Sequence, residues 1–305
     1  MRAQELRGQG TSPQALVRAT HTGELTRVRH GAYVSHPGTD DLSWHLQLVA
    51  GTWPLLGEAA VLSHATAGAI HDLPLWAGML DRVTITRPSG GHGRSAPHLR
   101  VRLAPLTDGE VVEVDGLKVT TLERTALDLA RTLPYERAVA VLDSALHRGA
   151  GRSVMVDSLV SLRGFSGVGT ARAALAFADG RAESVAESIS RIRLHAAGIP
   201  APELQVNVYD EDGFWIARSD FGWLALGVLG EFDGKVKYRG SEDEVAGVVM
   251  REKRREENLE ELGWSVVRWG WDQLDPATLR RRFDAAVRHA RPAEILGHAV
   301  PLARP

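Results

Sequence analysis

The sequence predicts a mixed α/β (α+β) protein in several parts, and three observations predict it. Segments with strand-like alternation and segments with helical 3–4 spacing succeed one another along the chain. A glycine-spaced stretch between Gly149 and Gly180 separates two regions whose elements follow different orders. The 305 residues are 44% hydrophobic and 24% charged, which is globular composition with length enough for two or three cores.

The first elements are short. Ser12-Pro13 supplies an N-cap followed by proline at the first helical position, and the helix through Gln14–Ala19 stops near Gly23. Residues 24–29 alternate as a strand, His30-Gly31 marks a turn, and Ala32-Tyr33-Val34 returns. Helix, helix and hairpin within residues 1–38 give the plan of a winged helix-turn-helix. Arg18, Arg27 and Arg29 lie on its helix and wing, where such modules grip the phosphate backbone of DNA.

Residues 39–150 predict a mixed α/β middle region. Helices are expected at 41–51, 63–71, 122–131 and 136–148, and strands at 83–86, 100–103, 111–114 and 117–120. Thr120 followed by Glu123 has capping-box spacing. The glycines of 89–97 lack the strand–loop–helix setting of a phosphate loop. His64 and His71 are seven apart on one helix; with no third ligand in view they are expected as capping or core histidines. Residues 151–180 are expected to be a connector with two weak helices.

From Arg181 the order becomes helix, strand, strand, helix, strand, helix, a central mixed sheet at 181–291 with a tail at 292–305. The helix 181–197 is expected to bury Val185, Ile189, Ile192 and Ala196, with Glu187 roughly opposite. Glu187 with Arg191 also has the spacing of an ordinary surface ion pair. If the strands 214–220 and 227–233 turn at Ala225-Leu226, Trp223 faces Val228 and Asp220 faces Glu231. Facing β-carbons stand about 4.5–5.5 Å apart. Two carboxylates at that distance repel unless a cation lies between them, so the pair is a candidate seat for Mg²⁺ or Mn²⁺. Asp233 follows two residues later, and Lys235 would follow if the strand continued. Trp223, Trp264, Trp269 and Trp271 are expected in core and strand-edge packing, and the mixed charges of 251–257 on a solvated helix.

The motifs "RSDFGW" with Asp220, "EFDGK" from Glu231, "REKRREENLEELGW" and "SVVRW" resemble the very-short-patch-repair-like branch of the PD-(D/E)xK nuclease superfamily. Glu187 in "ESVAES" and the following "GIPAPELQ" match the opening of that branch. The resemblance implies a restriction-endonuclease-like domain and a metal-dependent phosphodiesterase, with Asp220 and Glu231 holding the metal, Glu187 supporting it and a lysine on the phosphate. The third-motif lysine is expected where this chain has Asp233, and Lys235 or Lys237 would have to replace it. Separately, "ELTRVRHGAYV" (24–34), "VLSHATAGAIHDLP" (61–74) and "LKVTTLERTALDLA" (117–130) resemble the abortive-infection (AbiEi-like) type IV antitoxins. That resemblance implies a winged-helix DNA reader that represses its own promoter, with a cognate toxin as partner.

Other classes are excluded or disfavoured by composition. A net charge of −2 argues against binding DNA through overall charge, and zero cysteines exclude disulfides, thiol nucleophiles and zinc–cysteine sites. The longest stretch without acid or base, 42–57, is too short to span a bilayer, and no secretory leader is visible, so a cytoplasmic protein is expected. Two functions follow: a metal-dependent endonuclease docked by its N-terminal module, or a transcriptional regulator and antitoxin whose nuclease-like domain is inert.

Overall fold

The structure is a computed structural model and describes residues 8, 11–88, 96–234 and 254–303. It is a mixed α/β protein whose chain forms two compact units, 1–133 with 150–172 and 134–149 with 173–305.

In the first unit, helix α1 (Pro13–His21) is capped by Ser12, whose Oγ accepts from the Ala15 amide at 3.1 Å. Strands β1 (Thr26–Arg29) and β2 (Ala32–Val34) form an antiparallel hairpin around Gly31, where φ of +79° suits glycine. Val28 and Ala32 are buried, and the hairpin lies against helix α2 (Asp41–Thr52). Asp40 and Ser43 close a capping box at the start of α2. A five-stranded sheet follows, built from β3 (Val61–Leu62), β4 (Val83–Arg87), β5 (Leu99–Leu103), β6 (Val111–Val114) and β7 (Leu117–Thr120) in the order β5-β4-β3-β7-β6. Helices α3 (His64–Ile70) and α4 (Leu122–Ala130) pack on each other, and α3 also covers β4. The cap of α4 is Thr121, which accepts from Arg124, and not Thr120. Thr120 instead bonds Thr125 at 2.6 Å, and Glu123 accepts from the Gly151 amide.

Between Gly149 and Gly180 the chain forms the two expected helices. Helix α5 (Tyr135–His147) precedes the stretch, which holds α6 (Arg152–Ser161) and α7 (Val168–Phe177). Met155, Leu159, Ala171, Ala174 and Leu175 are buried, because their spacing gives each short helix one apolar stripe.

The second unit is a mixed sheet in the order β11-β10-β9-β8-β12, from β8 (Glu203–Tyr209), β9 (Trp215–Trp223), β10 (Val228–Phe232), β11 (Ser265–Trp269) and β12 (His298–Pro301). Among the described strands of this sheet, only β10 and β11 are parallel. Helix α8 (Val185–Ala196), helix α9 (254–261) and helix α10 (Pro276–His289) complete the unit. One core joins Leu194, Phe221, Trp223, Trp269 and Phe283; a second joins Val206, Val208, Leu229, Leu259 and Trp264. Trp223, Trp264 and Trp269 are therefore core residues, whereas Trp271 is 55% exposed.

Helix α8 differs from its expected form. It begins after the N-cap Ser184, and its buried residues are Ala186, Glu187, Ser188, Ser190 and Leu194, so Glu187 lies inside. The rotation follows from long-range pairing. Arg191 reaches Asp143 of α5 at 2.7 Å and the Phe177 carbonyl at 2.7 Å, and makes no ion pair with Glu187 among the described residues.

Candidate functional site

Strand register builds the acidic site. Trp223 pairs with Val228, Gly222 with Leu229 and Phe221 with Gly230, so the next facing pair is Asp220 and Glu231. The turn is a single 3-10 turn closed by Gly227 in the left-handed region, φ +64°. On the other side, Leu204–Phe221 and Val206–Ser219 bracket Gln205 opposite Asp220, and the parallel ladder sets Glu231 beside Arg268. Gln205, Asp220, Glu231 and Arg268 thus occupy one cross-strand row. Gln205 itself has φ of +51°, a rare conformation for a side chain of its size.

The three carboxylates differ in how they are satisfied. Glu187 takes Ser184 Oγ at 2.7 Å on Oε1, and the Glu183 amide at 2.9 Å and Gln205 Nε2 at 2.8 Å on Oε2. Its own amide donates to Ser184 Oγ, so the acid sits in the first turn against the N-cap side chain as well as in the site. Glu231 is buried; its Oε2 receives Arg255 Nη2 at 2.8 Å and Arg268 Nε at 3.0 Å, while Oε1 is buried without a partner. Arg268 also bonds Glu256 at 2.7 Å. Among the described residues Asp220 receives only the Phe232 amide, at 2.9 Å. Burial pushes its carboxyl up to about 6; the Phe232 amide opposes this, and the charges of Glu187 and Glu231 add to it.

The site therefore contains two of the carboxylates that strand pairing brings together, with Glu187 buried beside them. Asp233 lies past the end of β10, exposed, its amide bonded to the Trp269 carbonyl. Lys235 and Lys237 lie outside the described residues, as do 251–253 of the charged helix and 89–95 of the glycine loop. Gln205, Arg255 and Arg268 were missed. Arg268 had one signal, an arginine within the apolar strand "SVVRW"; Arg255 had none, being one of many charges in its helix.

The chemistry of these donors bears on a metal ion. Two guanidinium groups already neutralise Glu231, and three donors occupy Glu187. What is left for a hard cation is Glu231 Oε1 and one oxygen of Asp220, and among the described residues no group of three or more His, Asp or Glu is arranged to hold a metal. As arranged, the donor set does not fit Mg²⁺ or Mn²⁺ without movement of Arg255.

In the first unit, Arg18 is exposed in the last turn of α1, and Arg27 is exposed with Nη2 2.8 Å from His30 Nδ1. Arg29 differs: its stem lies alongside Gly51 of α2 and its Nε is buried without a partner. Deeper in the unit, the segments 61–74 and 117–130 meet. Leu62 pairs with Val119, and His71 Nε2 lies 2.7 Å from the Thr120 carbonyl. Asp128, fully buried, binds Arg124 at 3.0 Å and Arg131 at 2.6 Å, and Arg124 reaches Glu110 at 2.8 Å. Burial pushes the Asp128 carboxyl up, but His64, Arg124 and Arg131 outweigh it and hold it below the ordinary range. His64 is buried with φ of +51°; burial above all pushes it down to about 4, against the attraction of Asp128. His64 and His71 are core and capping residues that bind different partners and do not converge on a metal.

Comparison with known proteins adds three findings. Residues 56–177 match the AbiEi antitoxin C-terminal domain. Two uncharacterized proteins, Rv2248 and MT2308 of Mycobacterium tuberculosis strains H37Rv and CDC 1551, are each 32% identical over 279 residues, covering 89% of this chain and 95% of theirs. The crystal structure of the RV2827C protein from Mycobacterium tuberculosis superposes with a TM-score of 0.40 at 16% identity, over 58% of this chain and 71% of that one.

Proposed function

The chain belongs to one family with Rv2248 and MT2308 and carries an AbiEi antitoxin-type domain, and from that premise we propose that it is a DNA-binding regulator of the antitoxin kind. The observation that carries this reading is the order of parts in the first unit: a capped helix and hairpin with exposed arginines, then the AbiEi-type sheet at 56–177. Arg18 and Arg27 are the phosphate-contacting residues. Arg29, packed along α2, sets the angle of the wing and contributes less to contact. The implied partners are the DNA upstream of its own coding sequence and a cognate toxin.

A gel shift or fluorescence titration on that upstream DNA tests the reading. Arg18→Ala and Arg27→Ala should each weaken binding on all sequences alike and reduce the salt slope by about 1. Unchanged affinity and unchanged salt dependence in the double variant would remove these residues from the interface.

One observation favours a second reading, a metal-dependent nuclease. Asp220 is a half-buried carboxyl raised to about 6 between two acids, and such groups gather at reactive sites. This reading requires Arg255 to leave Glu231 so that a divalent ion can enter. Cleavage of plasmid or mismatched duplex with Mg²⁺ or Mn²⁺, lost in Asp220→Ala and Glu231→Ala, would support it. Intact DNA binding without cleavage under either metal would leave the regulator.

A further inference from the structure

At the β12–β8–β9 end of the second unit's sheet, one patch carries residues that belong to neither core. Val208, Ala217 and Ala299 face one core across β12, β8 and β9. Their neighbours along β12 and β8 point the other way, and on β9 a bulge after Ala217's pair sets Trp215 opposite Tyr209, where its indole bonds Asn207. His298 pairs with Tyr209 and Tyr209 with Trp215, so three aromatic rings from three strands stand in one row. The His298 and Tyr209 rings stack at 5.0 Å between centroids with planes 9° apart. Trp215 is 58% exposed and pinned by its Nε1 to Asn207 Oδ1 at 3.1 Å; Phe214 beside it is 69% exposed, and Val300 continues the face on β12. Contiguous exposed apolar surface of this kind marks an interaction site more often than chance.

Charge tells which partner it fits. The turn joining β8 to β9 carries Asp210, Glu211 and Asp212, and Asp210 caps it by accepting from the Phe214 amide at 2.8 Å. Glu211 and Asp212 are exposed and make no ion pair among the described residues. The neighbouring cation Arg218 is already paired, with Glu183 at 2.6 Å. The surplus beside the aromatic row is negative, which repels a phosphate backbone and attracts a cation. Ring faces attract the same cations through their quadrupoles. The outer edge of β12 has no partner strand among the described residues, so an extended chain could pair there.

We propose that the His298–Tyr209–Trp215 row, with Phe214 and the acidic 210–212 turn, docks an extended arginine- or lysine-bearing segment of a partner protein. The surface does not depend on DNA recognition by the first unit, so either idea can fail alone. The test is fluorescence anisotropy of a labelled alternating Arg–Ala octapeptide titrated with the full chain, beside the matching Gln–Ala peptide. Saturable binding of the Arg–Ala peptide alone is expected, weakened about fivefold or more in Trp215→Ala. The double variant Glu211→Gln with Asp212→Asn, confined to exposed turn positions, should weaken it likewise. Equal binding of both peptides, unchanged affinity in either variant, or no saturable binding overturns the proposal. So does tighter, Trp215-dependent binding of oligothymidine, or self-association in sedimentation that Trp215→Ala abolishes, which would assign the face to nucleic acid or to a second copy.

Discussion

Replacing Asp220 by asparagine perturbs a partly buried acid that has one hydrogen bond among the described residues, while keeping its shape and its acceptor for the Phe232 amide. The carboxyl moves from an ordinary 3.8 to about 6 on folding. Such a displacement carries about 3 kcal/mol of linkage free energy. The folded state holds this proton more tightly than the unfolded chain does, so the contribution is fully present below pH 3.8 and is lost as pH rises through about 6. At neutral pH the ionised Asp220 is therefore a net cost. Partial exposure and solvent screening reduce the expected gain in Asp220→Asn to about 1–3 kcal/mol at pH 7. Urea unfolding followed by tryptophan fluorescence, with EDTA present and pH stepped from 4 to 7.5, measures it. The variant should be the more stable protein at pH 7, with the two curves converging near pH 4. A variant less stable by the same amount at every pH would refute the argument, since it would mean that Asp220 is a well-satisfied structural acid. Mg²⁺ in place of EDTA adds a second readout: stabilisation of the parent and not of the variant is what a metal seat requires.

Asp128→Ala should cost about 3–5 kcal/mol, because it leaves the buried Arg131 guanidinium without its carboxylate and Arg124 with Glu110 alone; a thermal melt of the full chain would show it. His64 contributes stability that is present above pH 6.5 and lost as pH falls toward about 4, so His64→Asn, which tolerates the left-handed backbone, should flatten acid destabilisation of the first unit by up to about 3 kcal/mol in a pH-stepped denaturation series. Gly167 has φ of +79°, and a β-carbon there would run into the Arg131 carbonyl; Gly167→Ala should lower stability by more than about 2 kcal/mol in chemical denaturation. Arg18→Ala with Arg27→Ala should lower the salt slope of DNA binding by about 2 without changing sequence preference, read from titrations at several salt concentrations.

What could be read from the sequence was what local rules fix. A hairpin register follows from where the turn falls, so the facing of Asp220 and Glu231 was legible once Gly227 ended the turn. Ser12 announces its helix by side-chain chemistry and caps it as expected. Features set by distant partners were not legible. Apolar spacing placed Val185, Ile189 and Ile192 inward on α8, yet Asp143, 48 positions earlier than Arg191, turns the helix so that Glu187 is buried. Thr120 has the capping spacing, but the hydroxyl of Thr125 claims it and Thr121 caps instead. Nothing in a row of alternating charges says that Arg255 is the one that closes over Glu231.

The two units handle buried charge in opposite ways, and the difference bears on where function resides. In the first, Asp128 is surrounded by cations that more than offset its burial, and Arg124 also pairs with Glu110, as expected of a network that holds a core together. In the second, Glu231 is matched by Arg255 and Arg268, but one of its oxygens and the whole rise of Asp220 are left over. A fold does not need that remainder, since apolar residues would pack the same volume more stably. Carboxyls raised in this way gather at reactive sites and also in structural networks, as Asp143 beside Arg191 shows, so the two must be told apart by experiment. Arg255 is the movable member, because it comes from helix α9 and is a third exposed, whereas Arg268 is fixed in the strand beside Glu231. If a divalent ion displaces Arg255, the nuclease reading gains its seat; if Arg255 stays, the row Gln205–Asp220–Glu231–Arg268 is a structural network closed by an arginine. Arg255→Ala distinguishes them: Mg²⁺-dependent stabilisation that appears only in this variant identifies the arginine as the plug, and its absence identifies the acids as structural.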